Sequence, residues 1–174
     1  MGARNCQELG VNLQKICSRL MANDNLIKLL HYTDINPLEQ ANLTEEQKKT
    51  LFNDLICVVP KVGTREDSRS VIAIYIPKAS SLSGNREFKN VVIAVDVFVP
   101  LTQWIIKDSN LRPFAIMGEI QNSLNDKTVN GLGKIQGGDF DLVTLTDEMS
   151  AYRQIFSITE YDWFGNFYWQ AAII

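Results

Sequence analysis

Near residue 56 the hydrophobic repeat of this chain changes from helical spacing to alternation, and that change constrains the fold class most. Before it, Leu9, Leu13, Ile16, Cys17 and Leu20 recur at intervals of three and four, forming one apolar stripe. A first helix is expected from Asn5, with Glu8 three residues on in a weak capping arrangement. Asn23 or Asp24 breaks and recaps the chain, and a short helix through Leu26, Leu29 and Leu30 ends near His31 and Tyr32. Residues 33–43 read as a loop punctuated by Pro37. Thr44 then caps a third helix, with Gln47 closing the box and Glu45 and Glu46 at its positive end. Its apolar face is Leu51, Phe52 and Leu55.

Beyond residue 56 the spacing is that of strands. Residues 56–60 and 71–76 read as β, with a polar turn over 61–69 and a Ser/Gly/Asn loop over 77–87. Residues 88–99 form the longest strand, stopped by Pro100. Val91, Ile93, Val95 and Val97 share one face, and Val92, Ala94, Asp96 and Phe98 the other. Both faces are mostly apolar, which predicts a central strand covered on each side. Asp96 is the exception and needs a partner or exposure. A fourth helix follows Asp108-Ser109-Asn110, with Pro113 in its first turn and a buried stripe of Leu111, Phe114, Met117, Ile120 and Leu124. Residues 135–146 and 152–161 read as two more strands joined by an acidic turn at Asp147-Glu148. The expectation is one α+β domain over residues 1–162, with helices packed on a mixed, mainly antiparallel sheet of four to five strands. An aromatic arm over residues 163–174 follows it. Trp163, Phe164, Phe167, Tyr168 and Trp169 fall within seven residues there. Free and exposed, such a segment aggregates, so it must pack on its own core or on a neighbour.

Composition narrows the function classes. The chain has 174 residues, 45% hydrophobic and 21% charged, which is ordinary for a single globular domain. No apolar run reaches the length of a membrane span, and the first residues lack the apolar core of a signal peptide. A soluble intracellular chain is expected. Cys6, Cys17 and Cys57 are too few and too scattered for a disulfide framework, and Cys17 and Cys57 sit in apolar runs as expected core thiols. Net charge is −3, unevenly spread: residues 61–90 carry +3 and residues 91–174 carry −5. An overall basic face for gripping DNA is absent.

Few residues suggest chemistry. With His31 as the single histidine and no cysteine pair at ligand spacing, a His-based zinc cluster is excluded. Gly131-Leu132-Gly133-Lys134 lacks the remaining spacing of a phosphate loop. Asp67 with Glu87 and Lys89 loosely matches the two carboxylates and lysine of Mg²⁺-dependent nucleases, although a solvated loop is the stronger reading. Asp139 and Asp141 alternate around Phe140, as a metal or acid-base pair would, but also as the wet face of a strand would; the wet face is preferred. Arg65, Arg69 and Arg86 fall on two polar loops flanking the strand at residue 71. They suit nucleic acid or an acidic neighbour, with plain solvation the commoner outcome.

The order of segments resembles the tail-terminator and neck proteins of tailed bacteriophages. The resemblance is carried by Asn25-Leu26-Ile27-Lys28-Leu29-Leu30-His31-Tyr32-Thr33-Asp34, Asn36-Pro37-Leu38 and Leu43-Thr44-Glu45-Glu46-Gln47-Lys48. It continues through Val59-Pro60-Lys61-Val62, Ser70-Val71-Ile72-Ala73-Ile74-Tyr75, Trp104, Leu111-Arg112-Pro113-Phe114, Leu124-Asn125 and Gly131-Leu132-Gly133, then Tyr152 and Phe156. It spans about residues 8–162 and leaves out the segment from Trp163 onward. It implies a compact α+β subunit with no active site and no cofactor. Such subunits form a ring, typically hexameric, that caps the tail tube and joins it to the connector or stopper of the neck, with DNA crossing the lumen in transit. The implied place is the virion neck after assembly in the host cytoplasm, with no membrane partner. Within that picture Asp139, Asp141, Asp147 and Glu148 are candidates for the lumen, the aromatic arm for a subunit contact, and Arg65, Arg69 and Arg86 for neighbour-contacting loops. A stopper or head-completion protein is the nearest alternative. A nuclease using Asp67, Glu87 and Lys89, or an adaptor binding a host protein through the arm, are rivals of another kind.

Overall fold

A computed structural model describes residues 2–58, 69–82, 85–128, 134–146 and 148–160. Helix α1 spans Gly2–Met21, three residues earlier than Asn5, because Ala3 and Arg4 are good helix formers and continue the turn. Helix α2 spans Asp24–His31. Its cap, Asn23, accepts a hydrogen bond from the Leu26 amide at 3.1 Å, and the Asn23 side-chain amide donates to Glu119 and Ser123 at 2.9 Å each. One residue thus starts α2 and ties it to α4, Arg112–Leu124. Helix α3, Glu45–Leu55, begins with the expected box: Thr44 Oγ1 accepts from the Gln47 amide, and Gln47 Oε1 accepts from the Thr44 amide at 2.8 Å.

The main sheet has five strands: β1 (Ile56–Cys57), β2 (Val71–Leu82), β3 (Asn85–Pro100), β6 (Ile135–Leu145) and β7 (Met149–Glu160). Their spatial order is β1-β2-β3-β7-β6, with β1 parallel to β2 and every other pair antiparallel. This is the mixed, mainly antiparallel α+β sheet that the alternation predicts. A two-stranded ribbon, β4 (Ile105–Ile106) with β5 (Asn110–Leu111), leads into α4. The central place of β3 is as expected, and both its faces hold buried residues, with Ala94 and Asp96 on the face away from the helices. All four helices share one core, which takes in Val91, Ile93, Val95, Val97 and Val99 of β3 and none of Val92, Ala94, Asp96 or Phe98. Helices therefore cover one face of the sheet. Residues 77–82 and 85–87 are strand rather than loop. They continue β2 and open β3, with Ala79 opposite Val91 and Ser80 opposite Asn90 after a register shift between Tyr75 and Lys78. Pairing with a strong neighbour overrides weak local propensity here.

Two glycines set which way β6 presents its side chains. Gly137 and Gly138 have φ of +127° and +111°, and a Cβ on Gly137 would lie 2.6 Å from the Ile155 carbonyl oxygen. Between Gly137 and Asp139 the register to β7 slips by one residue. The slip turns Asp139 and Asp141 to the sheet face away from the helices and turns Phe140 toward the helices, opposite Gln154.

Cys17 is fully buried in the shared core, and burial pushes its thiol pKa up to about 11. Cys57 is half-buried at the end of β1. A maleimide applied to the native chain is expected to modify Cys57 and to spare Cys17 until denaturant is added, as read by peptide mass spectrometry. Modification of both at equal rates in native buffer would contradict this packing.

Candidate functional site

On the helix-free face, Asp96 in β3 lies opposite Ala73 of β2 and Arg153 of β7. Asp96 is 3% exposed, and Arg153 meets it with two forked hydrogen bonds, Nε to Oδ1 at 2.6 Å and Nη2 to Oδ2 at 2.8 Å. The Tyr75 hydroxyl donates to Oδ2 at 3.1 Å, and the Arg153 guanidinium stands 5.7 Å from the Tyr75 ring centroid. Hydrogen bonding to Asp96, more than its charge, raises the Arg153 pKa; burial first and the Asp96 charge second raise that of Tyr75. This is the partner that the anomalous Asp96 required. The group is charge-balanced and its hydrogen bonds are internal, so it braces the three central strands.

Beyond Arg153 on the same face lie Asp139 and Asp141, both exposed, on the last strand of the sheet. Glu148 is exposed in the β6–β7 connection, where its carbonyl accepts from the Leu101 amide at 2.9 Å. The wet-face reading of the two aspartates therefore holds, while Asp147 lies outside the described residues. Arg69 is half-buried just before β2, and its charge adds to burial in lowering the His31 pKa. Arg86 does not sit in a loop: its position falls inside β3, as do those of Glu87 and Lys89. Lys89 pairs with Ser81 on one side and Glu160 on the other. Arg65, Asp67 and the arm residues Trp163, Phe164, Phe167, Tyr168 and Trp169 lie outside the described residues. Among the described residues no three His, Cys, Asp or Glu side chains gather as a metal site, and no helix is long and apolar enough to cross a membrane.

The other face of the same edge is apolar. Phe140 and Leu142 on β6, at 50% and 53% exposure, sit beside Phe114 at the start of α4. Phe114 was expected in the buried stripe of α4. It is 41% exposed, and Arg112, Pro113, Ile116 and Met117 occupy the inward side of that turn instead. Its ring centroid lies 5.9 Å from Phe140 and 5.4 Å from Tyr152, and Trp104 lies 6.1 Å from Tyr152. The result is a continuous aromatic surface at the sheet edge.

Arg112 is the charged residue that sequence reasoning missed. It is fully buried at the first position of α4. Its Nε donates to the Gln103 carbonyl at 2.9 Å, Nη1 to those of Leu29 and Tyr32 at 2.9 and 2.6 Å, and Nη2 to that of Asp34 at 2.6 Å. Burial lowers its pKa, offset in part by the Asp34 charge. The guanidinium closes the carbonyl end of α2 and fastens it to the turn at Leu101–Gln103 and to α4. The one available signal was its place directly before Pro113 at a helix start.

The β6 edge thus carries an acidic strip on one face and aromatic rings on the other. Residues 23–158 match the YomW family. The chain belongs to the YomW family. This is a phage-type protein family, and the match runs from the cap of α2 almost to the end of β7, so the YomW region holds Arg112, the Asp96–Arg153 brace and the aromatic edge. No curated protein matches the chain.

Proposed function

We propose that this YomW protein is a structural subunit of a tailed-phage neck, forming a ring that terminates the tail tube and joins it to the head connector. Its function is then positional, and its partners are copies of itself, the tail tube protein and a connector or stopper. The observation that carries the reading is the two-sided β6 edge. An exposed aromatic surface at a sheet edge is suited to cover by a protein neighbour. The acidic strip on its reverse suits a lumen through which DNA passes without adhering, because fixed carboxylates repel phosphate. Membership of a phage-type family and the resemblance to tail terminators support the same assignment.

Native mass spectrometry of the purified full chain is expected to show a closed homo-oligomer, and a monomer at all concentrations would overturn the ring. Within assembled particles, Asp139→Asn, Asp141→Asn, Asp147→Asn and Glu148→Gln together are expected to leave assembly intact and to slow DNA ejection. The difference from the native particle should shrink as salt is raised past about 0.5 M, where the screening length falls below about 5 Å. Ejection at the native rate in low salt would remove the acidic strip from the lumen.

A further inference from the structure

We propose that Gln121 of α4 decides which side chains β6 presents to a neighbour, by holding the Gly137–Gly138 slip in place. The inference rests on the reading of β6 as a contact edge and names the residue that sets its orientation. Gln121 is half-buried, and its Nε2 donates to the Gly138 carbonyl at 2.9 Å. One turn on, Asn125 Oδ1 accepts from the Gly137 amide at 3.2 Å. Gly138 is the extra residue of the slip, with no counterpart on β7, and its carbonyl is bonded to α4. The fit is close: a Cβ on Gly138 would lie 2.4 Å from Gln121 Nε2. The start of β6 is tied to the same end of α4, because the Asp126 amide donates to the Ile135 carbonyl at 2.8 Å and the Ile135 amide to that of Lys127 at 3.0 Å.

A second register shift, between Leu142 and Thr144, leaves Val143 as another extra residue. Residues 139–142 are therefore an island between two slips. Moving the island by one place would set Gly138 opposite Ile155 and Phe140 opposite Arg153, and would pass the surplus residue to the second slip. Residues 135–137 and 144–145 would keep their partners on β7. Asp139 and Asp141 would then turn toward α4, and Phe140 would turn away from it.

Burial does little to choose between the two registers. Phe140 and Leu142 are about half exposed where they stand, and Asp139 and Asp141 are exposed on the other face. The exchange would neither open the core nor take a carboxylate fully out of water, so the register of this segment is weakly specified by its own pattern. The Gln121 bond does distinguish the two. Closing the first slip draws Gly138 into the ladder and its carbonyl away from Gln121, so that bond belongs to the observed register alone.

The test puts Asp139→Cys and Ile155→Cys together into the full chain. The two positions are directly opposite in the observed register, at the spacing a disulfide needs, and would point to opposite faces after a shift of one residue. Phe114, Phe140 and Tyr152, whose ring contacts also belong to the observed register, stay unchanged. Under mild oxidation the 139–155 disulfide is expected to form, as mapped by peptide mass spectrometry. Adding Gln121→Glu, whose carboxylate fills the same space but cannot donate, is expected to lower its initial rate at least fivefold, and Gln121→Lys, which keeps a donor, to restore it. Melting is expected to stay cooperative and Cys17 to stay protected from maleimide in each variant, so the rate reads register and not loss of fold. An unchanged rate with Gln121→Glu would overturn the role of Gln121 and leave the ring reading standing. Failure of the pair to join while Gln121 is present would overturn the register itself. With Asp139 and Ile155 native, Gln121→Glu is expected to weaken association at least tenfold by native mass spectrometry, and a shifted register with full association would remove β6 from the interface. A native chain that stays monomeric would remove the ring, while the disulfide rates would still judge Gln121.

Discussion

Replacing Arg112 by methionine is expected to lower the unfolding free energy by about 3–5 kcal/mol. Methionine fills much of the same space, so the loss is one of hydrogen bonds rather than volume. The carbonyl oxygens of Leu29, Tyr32, Asp34 and Gln103 lose the guanidinium donors that link them across three segments. Arg112→Lys is expected to recover less than half, because one ammonium nitrogen cannot span carbonyls that a planar fork reaches from separate atoms. Urea unfolding at unchanged m-value reads the shift, and the melting temperature should fall by about 10 °C. A methionine variant within about 1 kcal/mol of the native chain would show that water replaces the guanidinium, and the staple would not exist.

The second large effect lies at the sheet brace. Arg153→Leu leaves the Asp96 carboxylate, 3% exposed, with the Tyr75 hydroxyl as its remaining partner of the two. The expected loss is about 2–3 kcal/mol, less than for a fully buried pair because the Arg153 side chain is 36% exposed and water screens part of the interaction. Adding Asp96→Leu to Arg153→Leu should return most of that loss, since no uncompensated charge then remains in the sheet. The double-mutant cycle is expected to give a coupling of about 1.5–3 kcal/mol. Additive single effects would mean that the two side chains do not share a bond in solution.

The parts of the fold that local chemistry dictates were legible in the sequence. Thr44 and Gln47 specify a helix start between themselves, and the Asn23-Asp24 pair marks that of α2 to within one residue, so both helices could be read directly. The alternation over 88–99 likewise placed β3 at the sheet centre, and Asp96 stood out on it as a charge in need of a partner. What could not be read depends on the far side of a contact. Ser80 and Ser81 look like loop residues until β3 is laid beside them. Phe114 fits an apolar stripe by spacing alone, yet the inward side of its turn is filled by Arg112 and Pro113. Arg112 itself is an ordinary surface residue by type, and only the carbonyls of Leu29, Tyr32 and Asp34, some 80 positions away, draw it inward. The candidate site shares that property. Phe140 and the two aspartates beside it were visible as an alternating triplet, but their distribution between opposite faces is decided by the Gly137–Gly138 slip.

That slip has a consequence for how the protein can vary. Because neighbouring positions on a strand point in opposite directions, adding or removing one amino acid just ahead of Asp139 would exchange the carboxylates with the phenyl ring. Changes of two would restore the arrangement. Related chains that keep this architecture should therefore differ in length there by even steps, or carry a compensating bulge of their own, so parity at this point of an alignment becomes a record of which side of the strand looks toward the neighbour.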